Sequence, residues 1–163
     1  MAQARSRIVA VCGTSTPDET EERDARRVGT LLAQHGVTVV NGGLGGVMAA
    51  TAQGVAEAGG TCIGLLPGGD AADATPGLTV ALPTGLGEMR NALIVRAADG
   101  VIAVGGGWGT LTEIAFAMRT GKPVVLLHSW RLSPPEHAAM PEAPASAGTA
   151  DEAVSALLQM LDR

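Results

Sequence analysis

Val101-Ile102-Ala103-Val104-Gly105-Gly106-Gly107-Trp108-Gly109-Thr110-Leu111-Thr112-Glu113 is the stretch that decides how this chain folds. Four apolar residues in a row, Val101 to Val104, read as a strand buried on both faces, where no polar alternation is needed. Four of the next five residues are glycine, and a helical pattern then runs from about Thr110 to Arg119. A strand that passes through glycines into a helix lets the backbone approach whatever lies beyond the strand end. The free N–H groups and partial positive charge of the helix start favour an anion there. Thr110 and Glu113 also have the spacing of a capping box, which would make Thr110 the N-cap and the loop a mere turn.

The same grammar recurs along the chain. Ile8 to Cys12 is an apolar run closed by Gly13, with turn residues Thr14 to Pro17 after it. A helix follows from about Glu19 to His35, acidic at its start and stopped by His35-Gly36. Within it, Glu19–Arg23 and Glu22–Arg26 have favourable i,i+4 spacing. Further strands are expected at Val37–Val40, Thr61–Leu66, Leu78–Leu82 and Pro123–Leu127. Further helices are expected at Val47–Ala58, Glu88–Ala98 and Asp151–Met160, the last capped by Thr149 or Asp151. Apolar strands alternating with helices predict an α/β fold of Rossmann-like type, a three-layer α/β/α arrangement around a central parallel sheet. Ligands of such sheets bind outside the carboxyl ends of the strands. Two glycine clusters, Gly42–Gly46 and Gly105–Gly109, fall on that edge. Ser133 to Thr149 holds four prolines among alanines and cannot be one helix. It is expected to be a mobile connection before the C-terminal helix, within a single domain spanning 1–163.

Composition narrows the function. Apolar residues make up 46% of the 163 and charged residues 17%, which excludes a disordered chain. The formal net charge is -5 and Lys122 is the lone lysine, which argues against a nucleic-acid partner. Cys12 and Cys62 lie in apolar runs and read as buried, reduced thiols. The short polar start and the lack of any apolar run near ~20 residues predict a soluble, cytoplasmic protein with no membrane contact. No Cys, His, Asp or Glu cluster has metal-site spacing, so no bound metal ion is expected. The dinucleotide fingerprint fails after the first strand, where Gly13 stands alone, and no P-loop pattern is present.

Gly106-Gly107-Trp108-Gly109-Thr110-Leu111-Thr112-Glu113 resembles the PGGxGTxxE signature of the LOG phosphoribohydrolases. Asn41 to Met48, Glu57 to Gly60 and Ile63 to Pro67 are similar to that family's second block. Glu88-Met89-Arg90-Asn91 through Gly100 is similar to the block before the signature strand. Three departures stand out: Gly105 replaces the signature proline, the family's Arg-Lys pair reads Arg90-Asn91, and the second block reads GGLGG. They make the chain more similar to a sister group that includes the molybdenum cofactor carrier proteins.

The resemblance implies a phosphorylated, nucleotide-like ligand, with molybdopterin as a candidate cargo, and a dimer-based homo-oligomer. It assigns candidate catalytic roles to Arg90 and Glu113. Candidate ligand-binding residues are Gly13, Thr14, Ser15, Asn41, Gly42, Gly43, Gly45, Gly46, Gly105, Gly106, Gly107, Trp108, Gly109 and Thr110. Two alternatives stay open: a nucleoside 5′-monophosphate phosphoribohydrolase, and a single-strand DNA binder of the DprA kind. Asn41 could instead close its own Asx turn, and Trp108 could fill a subunit interface. The small-residue helices Val47–Ala58 and Thr110–Arg119 offer flat faces for such an interface. His128 sits on the ligand edge but is alone there.

Overall fold

The computed structural model describes residues 5–133 and 143–163. Seven strands form one fully parallel sheet: β1 (Ile8–Gly13), β2 (Thr38–Asn41), β3 (Cys62–Leu66), β4 (Val80–Pro83), β5 (Gly100–Val104), β6 (Val124–Leu127) and β7 (Ala145–Ala147). Their spatial order is β4-β3-β2-β1-β5-β6-β7. The helices are α1 (Glu19–Gln34), α2 (Val47–Glu57), α3 (Arg90–Ala97), α4 (Trp108–Arg119) and α5 (Ala150–Leu161). This is the Rossmann-like α/β fold.

Alternate residues of β1 show how the layers form. Val9 and Val11 pack into one core with α1, α2 and α5, and Ala10 and Cys12 into a second core with α3 and α4. The two cores are built of Val, Ala, Leu, Ile and Cys, with Phe116 and Trp130 only at the margin of the second. The strand order reverses at β1, whose neighbours are β2 and β5, with Gly13 level with Val104. At such a switch point the two following loops diverge and leave a crevice.

The α1–α2 contact depends on two glycines. A Cβ on Gly29 would lie 2.2 Å from the Thr51 carbonyl oxygen, and one on Gly54 1.9 Å from that of Arg26. One small-residue face of α2 is therefore packed inside the fold against α1, while Ala49, Gln53 and Ala56 line a hollow on its other side. Tertiary partners also displace the expected i,i+4 pairs of α1. Arg26 reaches Glu57 on α2 and Arg27 reaches Asp151 on α5, while Arg23 turns to Asp24.

Asp18 caps α1 with a reciprocal capping box to Glu21, and Thr149 caps α5. The helix expected over Glu88–Ala98 begins as a 3₁₀ turn, Gly87–Met89, before α3. The Pro/Ala-rich stretch is more ordered at its end than expected: Ala145–Ala147 pairs in parallel with β6 as a seventh strand. Residues 134–142 lie outside the described residues, so the expectation of mobility is not addressed there. No described helix is long and apolar enough to cross a membrane.

Candidate functional site

The crevice between β1 and β5 is built from the ends of three elements. A Cβ on Gly13 would stand 2.3 Å from the Val104 carbonyl oxygen and 2.7 Å from Val47 Cγ1. Glycine there lets β1, β5 and α2 converge. The carbonyl of Thr14 accepts the Val47 N–H at 3.0 Å, and its hydroxyl accepts the Thr16 N–H at 3.1 Å, so the loop after β1 is fixed.

On the other side, α4 starts at Trp108, two residues before the expected Thr110. Its N-cap is Gly107, which has no side chain to cap with. The Leu111 N–H is the first to bond back, to the Gly107 carbonyl at 3.1 Å. The amides of Trp108, Gly109 and Thr110 thus lack intrahelical partners and open the positive end of α4 toward the crevice. The capping-box reading of Thr110 and Glu113 is corrected by this start: Thr110 is the third helical residue and 97% buried, at 3% exposure.

The crevice has an outer and an inner part. The outer cleft, about 450 Å³, is lined by Gly13, Thr14, Ser15, Gly107, Trp108, Gly109 and Thr110, with Leu44, Pro67, Glu88, Arg90 and Asn91. The inner chamber, about 100 Å³, adds Cys12, Gly42, Met48 and Glu113. Gly13, Arg90, Asn91, Gly109 and Thr110 line both, so the two spaces are continuous.

Arg90 opens α3 and is buried, with 8% exposure. Its Nη1 donates to the Leu65 carbonyl at 2.8 Å, while its Nε has no partner. The guanidinium lies against Gly42, where a Cβ would stand 2.0 Å from Nη1. Glu113 is equally buried, and burial raises its carboxyl to about 7, against the lowering influence of Arg90 and Cys12. Burial also lowers the Arg90 guanidinium, offset in part by Glu113. Burial and the neighbouring carboxyl push the Cys12 thiol well up, so it stays a neutral thiol. Arg90 forms no ion pair within 4.0 Å among the described residues. The chamber therefore holds a cation with an unused donor and a carboxyl that exchanges its proton near neutrality.

Other predicted site residues stand behind the surface. Asn41 is fully buried; its Oδ1 accepts the Gly43 N–H at 2.8 Å and its Nδ2 donates to the Met48 carbonyl at 3.1 Å. The Asx-turn alternative describes it, and it shapes the loop from beneath. Gly43 packs on Leu66, and Gly46 on Thr14 and Ser15. Gly105 backs onto Glu21, and Gly106 onto Thr110 and Trp130. Gly45 faces open space outside both linings. Gly46 instead joins Ser15 in a neighbouring hollow of about 580 Å³ beside α2. A larger hollow, about 690 Å³, lies between α1 and α5 at the amino ends of the strands and includes none of the predicted site residues. Among the described residues, no three His, Cys, Asp or Glu side chains are grouped as a metal site requires.

Sequence reading missed Cys12, Leu44, Met48, Pro67, Glu88 and Asn91 as lining, and Trp130 as the neighbour of Trp108. The position of Cys12 directly before Gly13 at a strand end was the available signal for the first. Leu44, Met48, Pro67, Glu88 and Asn91 fell inside the blocks of resemblance, but nothing local marks Trp130.

Residues 6–157 match the SLOG cluster4 family. The chain belongs to that family. An uncharacterised relative from Archaeoglobus fulgidus is 42% identical over 124 residues, covering 73% of this chain and 78% of that protein. A probable cytokinin riboside 5′-monophosphate phosphoribohydrolase from Oryza sativa is 36% identical, covering 69% of this chain and 52% of its own length. This SLOG cluster4 chain thus spans about half of that rice relative.

Solved structures align almost end to end. The molybdenum cofactor binding protein of Rippkaea orientalis superposes with a TM-score of 0.86 at 28% identity, over 98% of this chain and 99% of its own. The Moco carrier protein of Chlamydomonas reinhardtii gives 0.83 at 33% identity, over 97% and 99%. DNA processing protein A of Helicobacter pylori gives 0.69 at 19% identity, over 94% and 81%, a likeness of fold alone.

Proposed function

We propose that this chain binds and carries a phosphorylated small molecule, with the pterin-based molybdenum cofactor as its cargo. The observation that carries the reading is the uncapped start of α4, whose open amides face a cleft lined also by Arg90, a guanidinium whose buried Nε has no hydrogen-bond partner. An anion on those amides needs no further cation, because helix start and backbone donors suffice. Arg90 is anchored through Nη1 to the Leu65 carbonyl, and the rest of its guanidinium edge is left to a ligand oxygen that enters the cleft.

The residues fit such a cargo. A cleft of about 450 Å³ is of the size that takes a small organic ligand. The phosphate would rest on Gly107 to Thr110 and the loop Gly13 to Ser15, with Arg90 and Glu113 at the inner end. Redox chemistry belongs to the bound metal; the protein's part is to hold the molecule and shield it from water. The end-to-end likeness to molybdenum cofactor binding and carrier proteins supports the reading. A soluble, cytoplasmic homo-oligomer belongs to the same proposal. Exposed Leu82, Leu86, Met89 and Leu93 supply an apolar surface for it.

A second reading is hydrolysis of the N-glycosidic bond of a nucleoside monophosphate. It is favoured by Arg90 and Glu113 lining one chamber and by the rice relative. A Glu113 carboxylate could stabilise the oxocarbenium-like ribosyl cation that such cleavage generates. Incubation with AMP separates the two, with native mass spectrometry of the purified protein alongside. A retained phosphorylated ligand with no free adenine supports the carrier. Adenine release that Glu113→Ala abolishes, and that rises as pH passes about 7, establishes the hydrolase and sinks the carrier.

A further inference from the structure

The chain is poor in aromatic side chains, with two tryptophans, one phenylalanine and no tyrosine. No indole is among the buried residues of either core: Trp130 packs at the margin of the second, and Trp108 stands against it beside the candidate site. Trp108 is the first residue of α4, lines the outer cleft, and is 77% exposed. Trp130, from the segment after β6, packs beneath it with ring centroids 5.3 Å apart and planes tilted by 38°. Trp130 is itself held close to Gly106, where a Cβ would approach its Nε1 to 3.2 Å and Thr110 Cγ2 to 2.9 Å. Gly106 has φ +140, a conformation only glycine adopts readily, so the loop is shaped to admit the indole.

A tryptophan braced from behind and bare in front is a costly surface feature, since few large aromatics are left so exposed. Here the bare side adjoins the anion-binding amides of its own helix start. In the same cleft, the 92%-buried Arg90, at 8% exposure, has an Nε without a partner. Leu44 and Pro67 contribute apolar lining. The cleft thus combines an anion end with one π surface.

We infer that Trp108 is a specificity-determining residue that stacks on a fused, planar heteroaromatic ring of the phosphorylated ligand, with Trp130 as its brace. The inference rests on the phosphate-binding reading above and names the residue that would recognise the ligand's ring as distinct from its phosphate. It takes the ligand-binding reading of Trp108 over the alternative that this residue fills a subunit interface. Ring–aromatic stacking of this kind contributes roughly 1–3 kcal/mol, or on the order of 10- to 100-fold in affinity.

The test uses two probes, AMP with a ring and ribose 5-phosphate without one, measured by calorimetry. Because the chain has no tyrosine, the Trp130→Phe variant makes Trp108 its single strong fluorophore. AMP is expected to quench that fluorescence, and ribose 5-phosphate is expected to bind without quenching. Trp108→Ala should weaken AMP by about 10-fold or more and leave ribose 5-phosphate unchanged, while Trp108→Tyr restores most of the preference. If wild type binds neither probe, the phosphate reading falls and this inference with it. If both probes bind and Trp108→Ala affects them equally or not at all, the stacking role is overturned and the phosphate reading stands. If Trp108→Ala instead halves the mass seen by light scattering and leaves the AMP preference intact, a second copy covers Trp108, and the inference is likewise overturned.

Discussion

The loops Gly42–Gly46 and Gly105–Gly109 look alike in sequence, yet they do different work. The first is closed except at Gly45, which faces open space. Gly42 makes room for the Arg90 guanidinium, Gly43 lies on Leu66, and Gly46 lies on Ser15. The second is closed at Gly105 and Gly106 but opens at Gly107 and Gly109, where a Cβ would meet nothing nearer than 4.0 Å. One loop therefore places a buried cation, and the other bares backbone amides and launches the helix that bears Glu113. Glycine density marks a strand end that something approaches closely. Whether that something is the protein's own side chain or a ligand depends on what lies opposite.

The largest effect expected comes from the residue that the second loop delivers. Burial raises the Glu113 carboxyl to about 7 in the folded chain, above the ordinary carboxyl value of 4.5 that applies when the chain is unfolded. The folded state then binds more protons between these values, so stability falls as pH rises from about 4.5 to about 7 and levels off above. The full span corresponds to about 3 kcal/mol. Glu113→Gln should remove that slope, and so become more stable relative to wild type at pH 8 than at pH 4. Denaturant titrations of both proteins at the two pH values measure it; parallel curves would mean that Glu113 is ionised as freely as in water.

Matched alanines probe the loops themselves. Gly42→Ala places a methyl on the Arg90 guanidinium and within 2.6 Å of Met48 Sδ, and overpacking of this kind costs about 1–3 kcal/mol. It should also weaken phosphate binding, because Arg90 must move. Gly45→Ala meets nothing within 4 Å and should stay within about 0.5 kcal/mol of wild type. Gly107→Ala should be similarly mild for stability but should lower affinity for ribose 5-phosphate, since its methyl enters the cradle. Equal stability losses at Gly42 and Gly107 would break the contrast between the loops.

Much of the fold was legible because a strand buried on both faces must be apolar throughout, as β5 and β6 are. The seventh strand, Ala145–Ala147, has residues with little strand preference and is set by pairing with β6. The start of α4 was misplaced because Thr110 has the better capping side chain, whereas the bare backbone of Gly107 takes that position. Of the charge pairs expected along α1, Glu22–Arg26 gives way to Glu57 on α2, and Glu19–Arg23 to the adjacent Asp24. At the site, Arg90 and Glu113 were found through their motif context. Their burial and the freed Nε come from long-range packing that no local pattern reports.

The smallest effect expected lies beside the second loop, at the end of β6. His128 is the one non-glycine residue with positive φ among those described, at 52°, and its Nε2 lies 2.8 Å from Asp24 Oδ2. Burial pulls the Asp24 carboxyl upward, but the bonds from His128 and Arg23 outweigh it and hold it below its usual value. A depressed carboxyl stabilises the fold above its unfolded value of 3.8, and that contribution fades as pH falls through the folded value. Asp24→Asn should therefore cost about 1 kcal/mol or less at pH 7 and nothing at strongly acidic pH, because the pair is partly solvated. His128→Gly, which relieves the backbone but drops the bond, should be nearly neutral. If His128→Gly lost several-fold more stability than Asp24→Asn, the imidazole would be holding more than this carboxylate, and the edge of the second loop would have a further partner to find.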